Sequence, residues 1–279
     1  MEAVDMNKSV EELQRIAKVI RTDIVKMLTE SGSGHPGGSL SAVEILTTLY
    51  FDEMNVNIEN PNWADRDRFV LSKGHAAPVL YSTLAEKGFF DKEELMKLRK
   101  LGAILQGHPN MNYIPGVDMS TGSLGQGISA AVGMALAGKL DKKEYRVYTL
   151  LGDGELGEGQ VWEAAMSAAH YKLDNLTAFV DFNGLQIDGK ITEVMNPTPI
   201  DKKFEAFGWN VLVVDGHDLV QIRKALDEAK ATKERPTVII CNTIKGKGVS
   251  YMENEAGWHG STPNKEQCEK AIAEIGGEL

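Results

Sequence analysis

At 279 residues, 42% hydrophobic and 25% charged, the chain has the composition of a soluble globular protein, long enough for one large α/β domain or two small ones. No apolar run reaches the roughly 18–20 residues of a transmembrane helix, so a membrane span is excluded. Thirty Lys and Arg against 40 Asp and Glu leave a net charge of −10, which argues against nucleic-acid binding, and two cysteines, Cys241 and Cys268, are too few for a disulfide framework or a Cys-rich zinc site.

In chain order, the opening MEAVDMNKSVEEL is acidic and amphipathic. It has neither a signal-peptide core nor an Arg-rich transit segment, and a cytoplasmic location is expected. Ser9 and Glu12 form a capping-box pattern, and Leu13, Ile16, Ala17, Ile20, Ile24, Met27 and Leu28 follow at helical spacing. The stretch SGSGHPGGS at 31–39 breaks that helix. A second capping-box pattern, Ser41 to Glu44, predicts a helix to about Phe51. Phe69–Leu71 reads as a strand. Leu124 to Leu140 reads as a helix in which Gly125, Ser129, Gly133 and Ala137 recur every four residues. One face is therefore nearly bare backbone, which suits tight packing either inside the domain or against a partner. Arg146–Leu151, Leu176–Val180, Val211–Val214 and Thr237–Ile240 are apolar, β-branched runs. The segments between them, near 158–172, 201–207 and 218–230, read wholly or partly as helices. Apolar strands alternating with helices predict a doubly wound α/β fold: a mainly parallel sheet with helices on both faces. With no repeat and no linker, one domain over residues 1–279 is expected.

The chain carries 28 glycines, and many follow strand ends. VYTLL runs into Gly152-Asp153-Gly154, LTAFVDF into Asn183-Gly184, VLVV into Asp215-Gly216-His217, and VIICNTI into Lys245-Gly246. Ligands of open parallel sheets bind at these carboxyl ends. If the strands at 146 and 176 are parallel neighbours, Asp153 and Asn183 share one sheet edge. An anionic and a neutral oxygen beside glycine-freed backbone suit Mg²⁺ or Ca²⁺ holding a diphosphate. The same residues also suit plain turns between strands and helices. Asp181 reads as a residue that satisfies neighbouring backbone.

Four of the 6 histidines sit beside glycine in loops: His35, His75, His108 and His259. Glycine there lets backbone come close to a ligand. His170 reads as a partner for free carbonyls at a helix end, and His217 as part of a turn before the next helix. Lys245, at a strand tip, suits either a phosphate or solvated surface.

GDGELGEGQVWEAA, followed by Asn183 in VDFNGLQIDG, resembles the GDG…N signature of thiamine-diphosphate enzymes and, more narrowly, the transketolase family. SGHPGGS (33–39), LSKGHAAP (71–78), GHP (107–109), TGSLGQG (121–127), IKGKG (244–248) and WHG (258–260) agree with that family, in order, over nearly the whole chain. The resemblance implies thiamine diphosphate and Mg²⁺ (or Ca²⁺) as cofactors. Asp153, Asn183 and the Leu185 carbonyl would hold the metal. His75, His259, Lys245, Gly154 and Asn183 would meet the diphosphate, and Gly122, Ser123 and Leu124 the aminopyrimidine. His35, His108 and His259 would face the sugar, which makes His35, His75, His108 and His259 the catalytic histidines. Glu158 matches a glutamate at the junction of two active sites. The implied reaction moves a two-carbon ketol unit from a ketose phosphate to an aldose phosphate, with neutral imidazoles handling protons.

Transketolases of the usual kind are more than twice this length. The resemblance therefore implies the N-terminal, diphosphate-binding subunit of a split transketolase, active only with a separate pyrimidine-binding C-terminal subunit, in an α2β2 assembly. That partner would carry the glutamate that activates the cofactor and arginines for the sugar phosphate. A truncated longer chain is the alternative. Two other functions compete: a 2-oxo acid dehydrogenase E1 α subunit, which the SGHPG and WHG histidines argue against, and a non-catalytic cofactor-binding subunit.

Overall fold

The first helix shows how closely local sequence governs the start of the chain. Helix α1 (Val10–Ser31) opens with the capping box formed in full: the Glu12 N–H donates to the Ser9 hydroxyl, and the Ser9 N–H donates to the Glu12 carboxylate. It closes at Gly32, whose left-handed backbone lets its N–H reach the Leu28 carbonyl. The structure, a computed structural model, describes residues 8–277. The first seven residues of the acidic opening stretch and the last two of the expected domain 1–279 lie outside the described residues.

Strands β1 (Arg68–Leu71), β2 (Val147–Gly152), β3 (Leu176–Phe182), β6 (Asn210–Asp215) and β7 (Thr237–Asn242) form one sheet in the order β1-β2-β3-β7-β6. Every neighbouring pair is parallel. A small antiparallel hairpin, β4 (Leu185–Gln186) and β5 (Gly189–Lys190), leaves the end of β3. The helices after α1 are α2 (Pro36–Leu40), α3 (Val43–Thr48), α4 (Ala77–Lys87), α5 (Gln126–Leu140) and α6 (Gly159–His170). They continue with α7 (Ile191–Val194), α8 (Ile200–Ala206), α9 (Leu219–Ala231) and α10 (Lys265–Ile275).

Side chains alternate across a strand, so each buried strand feeds two cores. Tyr148, Leu150, Phe179 and Ile239 pack with residues of α1, α3, α4, α9 and α10. Val147, Leu151, Val180 and Ile240 pack on the other face with α5, α6 and α8. Burying each Val, Leu or Ile contributes about 1.5–3 kcal/mol, which is why these runs are continuously apolar. The fold is thus the α/β class expected, with helices on both faces of a parallel sheet. Strand β6 departs from the pattern, since Val213 is 57% exposed. It is one of the two edge strands, and unlike β1 at the other edge it is left partly uncovered, which apolar sequence alone does not reveal.

Two further local expectations change. Ser41 and Glu44 form no capping box; α3 starts after Ala42 with no side-chain cap. The Ser41 hydroxyl instead donates to Asp181 at 2.6 Å, and Glu44 pairs with Arg21 at 2.6 Å. Bonds to buried charged groups hold these side chains more strongly than the backbone N–H groups of the helix start do. The helical path still runs past Phe51, through a wider turn at Leu49–Glu53. The small-residue stripe of α5 divides in two. Gly125 packs against Glu158, and Ser129 accepts a bond from Gln160 of α6, whereas the Gly133 position is open. No helix among the described residues is long and apolar enough to cross a membrane.

The chain fills β1, β2 and β3 in sequence, then places β7 and β6 beyond β3. The strand order therefore reverses at β3, and the carboxyl ends of β1, β2, β3 and β7 open onto one crevice, the place where such sheets bind ligands.

Candidate active site

Each strand end delivers its own chemistry. β1 runs into Lys73 and His75, β2 into Asp153 and Gly154, β3 into Asn183, and the turn after β7 carries Lys245. All six line a cavity of about 320 Å³. Asp153 and Asn183 follow adjacent strands whose register pairs Gly152 with Asp181. The two strand exits are tied together: the N–H of Gly184, next to Asn183, donates to Asp153 Oδ2 at 2.7 Å. Leu185 and Gly154 line the same cavity.

Three histidines from distant segments close over this floor. The rings of His35, His75 and His259 form a triangle with every centroid separation 5.3 Å. Gly37 lets the segments meet. A Cβ there would stand 2.9 Å from the Trp258 carbonyl oxygen and 3.0 Å from Lys245 Cγ, so only glycine admits both neighbours. His108 stands apart from the triangle, exposed at the cavity mouth beside Gly122.

Burial and neighbouring cations keep these imidazoles neutral. Burial first, then Arg99, pushes His35 down to about 4, while burial and Lys245 do the same to His259. His75 is driven well below its ordinary value by burial and Lys73, and His108 is lowered by burial and Arg99. Lys245 lies 3.0 Å from His259 Nδ1. A lysine ammonium only donates, so Nδ1 accepts and the ring proton sits on Nε2. Burial lowers Lys245 to about 8, which leaves it mostly charged at neutral pH.

Asp153 is 2% exposed, and its side-chain oxygens accept only backbone N–H groups among the described residues. Burial, then the charge of Asp181, raises its carboxyl to about 7. A buried carboxylate with no cation in direct contact among the described residues, an amide oxygen and the Leu185 carbonyl suit a hard divalent ion. No group of three His, Cys, Asp or Glu poised to hold a metal occurs among the described residues. A metal here would draw on those mixed oxygen donors and on oxygens of its ligand.

Some residues that build the site are absent from the expectations drawn from sequence. Asp181 is no backbone-satisfying residue: it is wholly buried, paired with Lys73, and accepts from Ser41, Thr243 and Asn183. Glu155 is 2% exposed and accepts from the Ser72 hydroxyl and from the Gly125 and Gly152 N–H groups. Opposite charges within two residues of the ends of β1 and β3, the strands on either side of β2, were the available signal for Lys73 and Asp181. For Glu155 there was none, because GDGELGEG offers two glutamates at similar spacing. The structure keeps Glu158 out of this cavity: it is exposed at the start of α6, where β2 has already turned away from the crevice. Ser123 is also exposed and outside the lining, whereas Gly122 and Leu124 belong to it. His170 ends α6, edge-on to Tyr171, far from these contacts.

The parallel sheet and the cavity at its strand ends are those of the thiamine-diphosphate-binding α/β fold. Residues 12–278 match the family model described as "Transketolase, thiamine diphosphate binding domain". The chain belongs to the transketolase family. It is 47% identical over 264 residues to a 6-deoxy-6-sulfo-D-fructose transketolase subunit of Clostridium sp. (strain MSTE9), covering 95% of this chain and 96% of that relative. It is 45% identical over 266 residues to an apulose-4-phosphate transketolase subunit of Phocaeicola vulgatus, covering 95% and 94%. Against human transketolase the identity is 45% over 269 residues, but the match spans only 42% of that protein. Among solved structures, the transketolase of Campylobacter jejuni superposes with a TM-score of 0.91 at 35% identity, over 97% of this chain and 44% of that one.

Proposed function

We propose that this chain is the diphosphate-binding subunit of a two-subunit transketolase. It binds thiamine diphosphate with Mg²⁺ or Ca²⁺ and, with a separate pyrimidine-binding subunit, moves a two-carbon ketol unit from a ketose phosphate to an aldose phosphate. The observation that carries this reading is the meeting of His35, His75 and His259 over Asp153, Asn183 and Lys245 in one cavity. The near end-to-end match to two proteins named as subunits supports the separate partner, as does coverage of less than half of human transketolase. We further propose one domain over residues 1–279, an α2β2 assembly, and a cytoplasmic location, which two buried free cysteines suit.

Asp153, Asn183 and the Leu185 carbonyl would hold the metal, while Lys245 and His75 would face the diphosphate. When bound, thiamine diphosphate supplies the nucleophilic carbon and the electron sink for breaking and re-forming a carbon–carbon bond. The chain's own part is orientation and protons. His259, with its proton on Nε2, donates to an oxygen in the cavity. His35, neutral at pH 7, donates or accepts at a sugar hydroxyl or carbonyl. Gly122 and Leu124, at the cavity rim, would meet the aminopyrimidine, with Ser123 on the outer side of that loop. His108, at the mouth, would meet the sugar. Glu158, being exposed, would act only across an interface with another subunit, as the family resemblance implies.

The test is reconstitution. The purified chain with thiamine diphosphate and Mg²⁺ is expected to show no ketol transfer, and addition of a pyrimidine-binding subunit to restore it across a panel of ketose and aldose phosphates. Substantial turnover by the chain alone would overturn the two-subunit reading.

A further inference from the structure

His217 lies outside the cavity, in the loop from β6 to α9, with its side chain 13% exposed. Its Nε2 accepts the Ile244 N–H at 2.8 Å. A ring nitrogen that accepts carries no proton, so the proton sits on Nδ1 and is donated to Glu44 Oε2 at 3.0 Å. Glu44 pairs with Arg21, and Arg21 Nε donates to the Lys247 carbonyl at 3.2 Å. One buried network thus grips the 244–247 turn at both ends: by an N–H at Ile244 and by a carbonyl at Lys247. Burial opposes ionisation of Glu44, yet Arg21 and then His217 outweigh it and hold the carboxyl below its usual range. Gly216 allows the approach, since a Cβ there would fall 2.4 Å from Thr243 Cγ2. Between the two grips, Lys245 sends its ammonium into the cavity, 3.0 Å from His259 Nδ1 and 3.4 Å from the Leu185 carbonyl.

We propose that Glu44 and His217 are positioning residues for the cofactor site: anchored by Arg21, they clamp the Ile244–Lys247 turn and so fix where Lys245 presents its charge. The turn contains Gly246 in left-handed backbone and is followed by Gly248, also left-handed, so it is intrinsically free to take other shapes. A long lysine side chain on a loose turn loses more entropy when it meets an anion than one already held. The inference rests on the reading that Lys245 meets the diphosphate.

Two substitutions separate a clamp from mere filling of space. His217→Leu keeps the bulk and removes the acceptor, whereas His217→Gln restores an acceptor near the Nε2 position. In the chain assembled with its partner, His217→Leu is expected to speed hydrogen exchange at the Ile244–Lys247 amides and to weaken binding of thiamine diphosphate with Mg²⁺ about tenfold, the size of one ordinary hydrogen bond. His217→Gln is expected to recover both. If the clamp acts through Lys245, adding His217→Leu to Lys245→Met weakens binding no further. Should His217→Leu fail to fold, His217→Asn, which reaches Glu44 but not Ile244, takes its place. Unchanged exchange at 244–247 overturns the clamp, whatever the cofactor does. Faster exchange with unchanged affinity, or additive losses in the double variant, overturns the link to Lys245. Failure of the unmodified chain, assembled with a pyrimidine-binding partner, to bind thiamine diphosphate overturns the proposed function and that link together, while the exchange result still decides the clamp.

Discussion

Lys73 and Asp181 form an ion pair at the strand ends with both side chains almost out of water, 2% and 0% exposed. Asp181 gathers Ser41, Thr243 and Asn183, while Lys73 Nζ also donates to the Gly38 carbonyl at 2.6 Å. The pair thereby joins the exits of β1, β3 and β7 to the segment carrying His35. Replacing Lys73 by Met would leave a buried carboxylate without its cation, a loss of about 3–5 kcal/mol. Denaturant unfolding of the full chain should show this loss, and Lys73→Met combined with Asp181→Asn should recover part of it. An unchanged midpoint for Lys73→Met would mean the pair contributes nothing to the fold.

Asp153→Ala and Asn183→Ala should each weaken binding of thiamine diphosphate with Mg²⁺ by on the order of tenfold or more, since each removes an oxygen from a small donor set. Chelation by EDTA should mimic both. Calorimetric titration of the chain assembled with its partner checks this. Affinity equal to that of the unmodified protein in either variant would remove that residue from the metal site.

The raised carboxyl of Asp153 sets a pH dependence. Its folded value of about 7 lies above the ordinary 3.8, so between those values the folded chain holds a proton that the unfolded chain has lost. The stability it contributes without ligand is fully present below 3.8 and is lost as pH rises through about 7. Metal binding needs the carboxylate and runs the other way, becoming easier as pH rises through the same point. The thermal shift produced by Mg²⁺ and thiamine diphosphate should therefore be larger above pH of about 7 than below it. Asp153→Asn should abolish that difference, and a shift independent of pH in the unmodified chain would count against the assignment.

The histidines should divide by position. His35→Ala and His108→Ala are expected to leave cofactor affinity nearly unchanged and to raise the barrier to ketol transfer by roughly 2–4 kcal/mol. His75→Ala should mainly damage cofactor binding. His259→Ala should damage both, because its Nδ1 meets Lys245 at 3.0 Å while its other nitrogen is left for the cavity. Steady-state rates and cofactor titrations with the partner present decide this. Loss of cofactor from His35→Ala with retention in His75→Ala would reverse the division.

Much of this was readable in one dimension. A helix that caps itself, as α1 does with Ser9, Glu12 and Gly32, uses only neighbours in sequence. A strand buried on both faces announces itself by composition, as β2, β3 and β7 do. Glycine beside Asp153, Asn183 and the four loop histidines marked where backbone must come close to something. Family motifs then attached chemistry to those positions. What is local in sequence, or carried by a motif, does not wait for the fold.

The rest needed three dimensions because it is decided by competition among distant groups. Ser41 and Glu44 had the pattern of a cap, but Asp181 and Arg21, remote in sequence, offered them buried charge instead. Family motifs singled out Glu158 and passed over Glu155, and only the direction of the turn after β2 buried Glu155 and exposed Glu158. His217 looked like a turn residue until the fold set Glu44 on one ring nitrogen and Ile244 on the other. The sequence by itself determined the five long strands, the sheet class and the glycine-flanked polar residues at the strand ends. The tertiary structure decided which buried charges found partners, because desolvation makes an unpaired charge far costlier inside the protein than any local preference can offset.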